Sequence, residues 1–585
     1  MFLRSVAVTS ALLVAVVSVA AGTAGATPAH RPSSGRFDQP QQGYAPSWTV
    51  LRDGTPQQVG LDPGPIDTAL ATVAGWTRND PTTGHPLYSG EVTLLAHDGV
   101  VVAKDAAGYA LRYADQQGDP LPAEQQIPMR TNTIFDLASL SKLFTCIAAM
   151  QQIQAGRLDV NATVASYLPE FATAGKGAIT IEQLMTHTSG LPADPSPPLW
   201  QDPDMASRIR AILDVRPLTP PGAAYLYSDM NMMTLQLVLQ QITGRTLDVL
   251  VRDGITRPLG MRDTMYDPPA SLRPRIAAEE YELVPDRGLV WGQVHDENAW
   301  ALGGVAGHAG VFSTVDDMAV LAQVILNGGT YRGHRILSEQ SVTQMLTNYN
   351  QAFPDDSHGL GFELDQRWYM GRLDSARTAG HTGFTGTTIV IDPVSRSIAL
   401  QFSNRVHPNR NWGSTNPARR AAADGLANAM AVRAPDGRPT WYSGIGDAST
   451  ATLTTPTITT RGAPVSVDYT TFVDTEAGSD KVTLQASSDG STWTAVPVTA
   501  TGPGAPQGAV TSLSGGSRSW WRVHAQLPAG TGPLLLRWQY VTDPLYTGRG
   551  VNVTGVRVSD RTGTLLDGDR HLTAFTGVSW VVTAR

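Results

Sequence analysis

Apolar and polar positions along this 585-residue chain fall into three textures. The first is an apolar stretch from Val6 to Ala21 behind Arg4, followed by Ala24-Gly25-Ala26. It reads as a secretory signal over residues 1–26, too short and too interrupted by Thr9, Ser10 and Ser18 for a membrane anchor. Residues 27–46, rich in Pro, Gln, Gly and Ser, are expected to form a flexible lead-in. From 47 to 432, helical patterns alternate with apolar strands such as Thr388-Ile389-Val390-Ile391-Asp392. The clearest helix begins near Ser139 and runs through Cys146-Ile147-Ala148-Ala149-Met150, with no Pro or Gly until Gly156. After the polar stretch 433–447, expected to be a linker, the chain turns to Thr, Val and Trp with strict alternation. Val465-Val467-Tyr469, Val482-Leu484-Ala486, Trp521-Val523-Ala525 and Val551-Val553 are the half-buried strands of an expected all-β sandwich over 448–585.

Composition narrows the function classes. The net charge of −8 is spread without long runs of one sign, which gives no electrostatic case for nucleic acid or for an anionic membrane. No apolar run beyond the N-terminal one is long enough for stable membrane insertion. The single cysteine, Cys146, excludes an internal disulfide framework. Only four of the 43 basic residues are lysines, and one of them, Lys142, sits on the apolar helix three residues after Ser139. Residues at i and i+3 share a helix face, so the Lys142 amine can reach the Ser139 hydroxyl. A buried lysine can give up its proton, whereas an arginine cannot. Ser141, adjacent to Lys142, points elsewhere. Free N–H groups at a helix start also suit an oxyanion forming beside Ser139.

Two further clusters follow in chain order: Tyr225-Leu226-Tyr227-Ser228-Asp229-Met230-Asn231, and Gly380-His381-Thr382-Gly383-Phe384-Thr385-Gly386. With Ser139-Leu140-Ser141-Lys142 they resemble the S-x-x-K, Y-x-N and K-T-G or H-T-G motifs of the serine penicillin-recognising superfamily. That superfamily includes class C β-lactamases, secreted D-alanyl-D-alanine carboxypeptidases and related esterases. The resemblance covers about residues 47 to 432. It implies an α/β (α+β) β-lactamase/transpeptidase-like domain, an antiparallel sheet with an all-helical part beside it. It also implies a secreted serine hydrolase that forms an acyl-enzyme on Ser139, with Lys142 and Tyr227 as a coupled proton-transfer pair. The oxyanion is then expected between the backbone N–H groups of Ser139 and Phe384, with Thr382 and Gly383 edging the site.

Two departures from the pattern bear on substrate. His381 stands where β-lactamases usually carry lysine, and an unperturbed imidazole is only partly charged at neutral pH. Asp229 replaces the asparagine of Y-x-N, and a carboxylate only accepts hydrogen bonds where an amide also donates. Asp229 is expected to hold Lys142 by charge, Asn231 is a candidate to supply the missing amide, and Arg405 a candidate to meet a substrate carboxylate. The H-T-G form tilts the expectation toward D-alanyl-D-alanine or related D-amino-acid peptides of the peptidoglycan type. A carboxylester hydrolase, a β-lactamase, or a wall-binding protein that acylates without turnover remain the alternatives.

His187, in Thr186-His187-Thr188-Ser189-Gly190, is expected to hold a turn rather than pair with Ser189 as a dyad. His295, Asp296, Glu297 and His308 match no zinc spacing and are expected to brace a pocket wall, so neither metal nor cofactor is expected. The C-terminal region resembles jelly-roll modules of secreted hydrolases. Trp493, Trp520, Trp521 and Trp538 are either its core aromatics or a platform for glycan contact. The expected location is extracellular or cell-wall associated.

Overall fold

The computed structural model describes residues 35–584. The expected signal segment and the start of the lead-in lie outside the described residues. The central sheet of the first domain contains β1 (Arg52–Asp53), β2 (Gly90–His97), β3 (Val100–Leu111), β4 (Glu363–Leu364), β5 (Ala379–Thr382), β6 (Thr388–Asp392) and β7 (Ser397–Ser403). Their order is β1-β3-β2-β7-β6-β5-β4, antiparallel throughout except where β1 meets β3. The middle of the sheet thus joins residues near 95 to residues near 400, and β5 with its H-T-G residues lies next to the edge strand β4.

Period-two alternation sorts these strands onto two buried faces. Val92, Leu94 and Ala96 of β2, Ile389 and Ile391 of β6, and Ile398, Leu400 and Phe402 of β7 join the larger core. That core also holds helices α2 (Ser141–Gln154), α3 (Asp229–Thr243) and α4 (Val315–Leu326). Leu95, Val390 and Ala399 face the other way, into a layer with α5 (Asn416–Ala429) and Ile66 of α1 (Pro63–Gly75). A sheet covered on both faces has no polar side, which is why its strands read as continuous apolar runs.

The C-terminal domain is a sandwich of an eight-stranded and a six-stranded sheet. The strands expected from alternation occupy Val465–Asp474, Lys481–Ser487, Trp520–Leu527 and Gly550–Asp560. Its first strand, Thr440–Tyr442, falls inside the stretch expected to be linker. It pairs with residues 552–553 and 581–583, and Trp441 is buried. Trp521 and Trp538 are core residues, Trp520 donates to Asp38 at 2.7 Å, and the Arg537 guanidinium covers Trp493 at 4.1 Å.

Residues 35–46 also differ from expectation, because they wedge between the two domains. Arg36 bridges to Ala431, and Phe37 is buried beneath the guanidinium of Arg518, 4.3 Å away. Arg518 reaches from the sandwich into the first domain, pairing with buried Asp392 at 2.6 Å and donating to the carbonyls of Leu373 and Asp374. Among the described residues no helix is long and apolar enough to cross a membrane.

Candidate active site

Ser139 lies on a single 3-10 turn, Ala138–Leu140, that leads into α2. Ala138 has φ of 47°, a left-handed conformation unfavourable for a residue with a Cβ. It is held there by its N–H, which donates to Asp136 Oδ1 at 2.8 Å. The turn after β5 braces the same segment: Thr385 Oγ1 donates to the Asp136 carbonyl at 2.7 Å and Thr387 Oγ1 to that of Leu137 at 2.9 Å. Gly383 sits between them, where a Cβ would overlap both the Leu137 carbonyl oxygen and the Thr387 hydroxyl. The glycine of H-T-G is therefore a close-approach residue, and it brings Phe384 alongside Ser139.

Lys142 is 1 % exposed; its Nζ donates to Ser139 Oγ at 2.8 Å and lies 2.6 Å from Asp229 Oδ1. It also sits 4.7 Å from the centre of the Tyr227 ring. Burial pulls the amine's pKa down, but Asp229 and Tyr227 together more than reverse this and hold it above its ordinary value. Tyr227 is pushed up to about 12, first by burial and then by Asp229 and Glu363, with Lys142 opposing. Asp229 opens α3, where a carboxylate meets the positive end of the helix dipole. Ser141 is turned away: its hydroxyl accepts from the Val311 N–H at 3.0 Å.

His381 is neutral. Its Nδ1–H donates to the Thr382 carbonyl at 2.8 Å, its Nε2 is buried without a partner, and burial together with Lys142 pulls the pKa down to about 3. The partial charge anticipated for an unperturbed imidazole is thus absent. His187 forms no hydrogen bond with Ser189, as expected, but its ring ties the turn to a distant segment instead of bonding locally. Its Nδ1 accepts from Ser228 N–H and lies 3.1 Å from Asn231 Nδ2, its carbonyl accepts from Leu226 N–H, and its ring packs 4.6 Å from that of Tyr227.

Two candidates serve differently from expectation. Asn231 is fully buried, with its amide between His187 and the Ser189 hydroxyl, so it supplies nothing to the site opening. Arg405 lines the cavity but is committed to its own loop. It donates to the carbonyls of Phe384 at 2.7 Å and Gly413 at 2.9 Å, and stacks over the Phe384 ring at 4.5 Å.

A cavity of about 690 Å³ opens from Ser139, lined by Tyr225, Tyr227, Thr382, Phe384 and others. Two residues in its wall carried no sequence signal: Arg419, on the first turn of α5, and Glu363, on β4. Arg419 donates to the Gly383 carbonyl at 2.8 Å and to Asn416 at 3.0 Å. Burial and Arg405 lower its pKa to about 10. Glu363 is pushed up to about 7 by burial. Neither belongs to a motif; only the pairing of β4 with β5 and the packing of α5 against the sheet bring them here.

Behind Lys142, Asp229, Asp296 and His308 converge; His308 Nε2 lies 2.9 Å from Asp296 Oδ1. A second convergence, Glu280, Glu282 and His295, backs Phe384. In both, the acids are matched by cations on the chain: Lys142 and His308 in the first, Arg410 and Arg287 in the second. Such pairing braces a wall and leaves little charge for a metal ion.

A family model described as Beta-lactamase matches residues 87–424. A Salmonella typhimurium protein named "Putative D-alanyl-D-alanine carboxypeptidase" is 35 % identical over 398 residues, covering 62 % of this chain and 88 % of that protein. The protein of the same name in Salmonella newport gives the same figures. Among solved structures, EstCE1, a hydrolase with promiscuous acyltransferase activity, is similar at a TM-score of 0.49 and 21 % identity, over 62 % of this chain and 98 % of that one. A penicillin-binding protein homolog from Caulobacter crescentus gives 0.47 and 22 %, over 63 % and 99 %.

Proposed function

Because the chain belongs to the Beta-lactamase family of serine hydrolases, we propose that Ser139 is its nucleophile and that it removes the C-terminal residue from D-alanyl-D-amino-acid peptides. The observation that carries this reading is the 2.8 Å contact of Lys142 Nζ with Ser139 Oγ at the end of a cavity lined by Tyr227 and the H-T-G strand. Ser139 Oγ attacks the D-alanyl carbonyl while its proton passes to the coupled Lys142–Tyr227 pair. The tetrahedral oxygen is held by the backbone N–H groups of Ser139 and Phe384. Collapse breaks the C–N bond, and the same proton goes to the leaving nitrogen. Water then attacks the ester, releasing the acid and restoring Ser139.

The substrate's terminal carboxylate falls to Arg419 with Asn416, since His381 is neutral, Arg405 is stacked on Phe384, and Arg419 Nε is buried without a partner. The observation favouring a second reading, ester hydrolysis, is that same neutral His381: a substrate without a carboxylate loses nothing there. Side-by-side rates on an N-acyl-D-Ala-D-Ala peptide, p-nitrophenyl butyrate and nitrocefin separate the readings. A β-lactam that stays attached for hours with no substrate turned over marks instead a protein that acylates and stops.

Intact-mass measurement after a fluorophosphonate probe tests the nucleophile. Wild type is expected to gain one adduct and Ser139→Ala none; equal labelling overturns the assignment. We further propose export, with the mature chain beginning at Thr27, which N-terminal sequencing of protein from the culture medium or cell wall checks.

A further inference from the structure

Two opposite charges in the wall of the Ser139 cavity, Arg419 buried and Glu363 half-buried, have no ion-pair partner. Arg419 is 7 % exposed and bonded only to a carbonyl and an amide oxygen; its Nε is unpartnered. Glu363 has a buried, unpartnered Oε2, and among the described residues no cation lies within ion-pair distance of it. Tyr369 lies beside Glu363 and favours its charged form, yet its own hydroxyl makes no hydrogen bond of standard geometry. Of the other two arginines of this wall, Arg410 is ion-paired with Glu280 and Glu297, and Arg405 donates to loop carbonyls and stacks on Phe384. Arg419 and Glu363 attract one another across the space without touching.

The placement of Glu363 follows from register. It stands directly opposite Gly380, so its side chain shares a sheet face with Thr382, two residues further along β5. Tyr225 and Trp368 add aromatic wall to the same cavity. Tyr227 also lines this cavity, and the leaving nitrogen must meet the proton-transfer pair, so the leaving residue is the part of the substrate that occupies the cavity. An unpaired buried charge is costly unless a ligand supplies its partner.

We propose that the cavity recognises its leaving residue as a dipolar ion, with the α-carboxylate at Arg419 and a side-chain ammonium at Glu363. The favoured C-terminal residue is then a diamino acid, preferred over an apolar residue of equal length. This rests on the peptidase reading above, in which Ser139 cleaves the bond before that residue.

The test uses the free leaving residue as well as turnover. Calorimetric titration of full-length Ser139→Ala protein is expected to show D-lysine binding at least tenfold tighter than D-norleucine or 1,5-diaminopentane. Adding Glu363→Gln brings D-lysine to within about twofold of D-norleucine. With wild type, kcat/KM for N-acyl-D-Ala-D-Lys is expected to exceed that for N-acyl-D-Ala-D-norleucine at least tenfold, a comparison that needs no variant to fold. Equal binding of D-lysine and D-norleucine, or a preference that survives Glu363→Gln, overturns the proposal. Selective D-lysine binding with neither peptide cleaved overturns the peptidase reading and leaves the subsite standing.

Discussion

Replacing Asp229 by Asn isolates the feature that most sets the charge of Lys142. At 2.6 Å two unit charges attract by about 1.6 kcal/mol in a water-like dielectric and about 6 kcal/mol at an effective constant of about 20. At 1.36 kcal/mol per pKa unit, Asp229→Asn lowers the Lys142 pKa by roughly 1 to 5 units. The carboxylate is 17 % exposed, which puts the expectation in the lower half of that span. Removing Asp229 also removes one of the charges that raise the Tyr227 pKa, so both members of the pair move the same way. The sign follows: the pair must accept the Ser139 proton, and in wild type its acceptors titrate above neutrality, so acylation climbs with pH from 6 to 9 without a plateau. In Asp229→Asn the profile slides to lower pH. At pH 7.5 the gain is on the order of three- to thirtyfold, because a weaker base returns part of the advantage. The burst of p-nitrophenolate from p-nitrophenyl butyrate in stopped flow, measured against pH, reads the acylation rate directly. A profile that stays in place, or acylation that falls at every pH while Ser139 still labels with fluorophosphonate, refutes the reasoning.

Gly383→Ala forces a Cβ into the Leu137 carbonyl and the Thr387 hydroxyl; acylation is expected to fall at least a hundredfold, with a loss of about 1–3 kcal/mol in stability from overpacking, read by stopped flow and chemical denaturation. Arg518→Met leaves Asp392, which is fully buried, without its cation and is expected to cost about 3–5 kcal/mol. Adding Asp392→Asn recovers much of that in urea unfolding, and additive losses would deny the coupling. His358 and His407 have pKa values pulled to about 4 and His381 to about 3, each first by burial. Their folded values lie below the unfolded one, so the unfolded state takes up protons first and stability is lost as pH falls below about 6.5. Each histidine contributes about 2 kcal/mol of that loss by pH 5; a melting temperature flat from pH 7 to 5 would contradict the buried neutral state.

What the sequence disclosed depended on whether the cause was local. The i, i+3 geometry of Ser139 and Lys142 needs only a helical turn, and a 3-10 turn running into α2 provides it. Alternation in Trp521-Val523-Ala525 places Trp521 inward and Trp520 outward, as found. What Trp520 meets, Asp38, lies 482 positions away in the chain, and no pattern along the strand announces it. Asn231 is a candidate amide because it follows Asp229 by two residues, but α3 turns it into the interior, where His187 and Ser189 claim the amide. Arg419 and Glu363 belong to an ordinary helix start and a two-residue edge strand. Their importance arises from sheet order, which short windows of sequence do not encode.

The two departures from the family pattern shift the charge around Ser139 in the same direction. In the Y-x-N and K-T-G arrangement, two lysines face the substrate around a neutral amide. Here Asp229 adds a negative charge next to Lys142, and His381, uncharged, removes a positive one. The region around Ser139 is therefore more negative by about two charges than that pattern implies, and the Lys142–Asp229 pair is internally neutral. A substrate carboxylate is no longer drawn to the β5 strand by a fixed cation, and the most buried arginine of the cavity wall, Arg419, sits beyond it, bonded to the Gly383 carbonyl and Asn416. Anchoring a carboxylate at Arg419 asks for a leaving group that reaches into the cavity instead of a compact bicyclic acid held close to the strand. On the peptidase reading proposed above, moving the cation back to β5 should move the substrate preference with it. His381→Lys is expected to raise the nitrocefin rate relative to the peptide rate by at least tenfold. An unchanged ratio, with Ser139 labelling intact, would show that the position of the cation does not govern the choice.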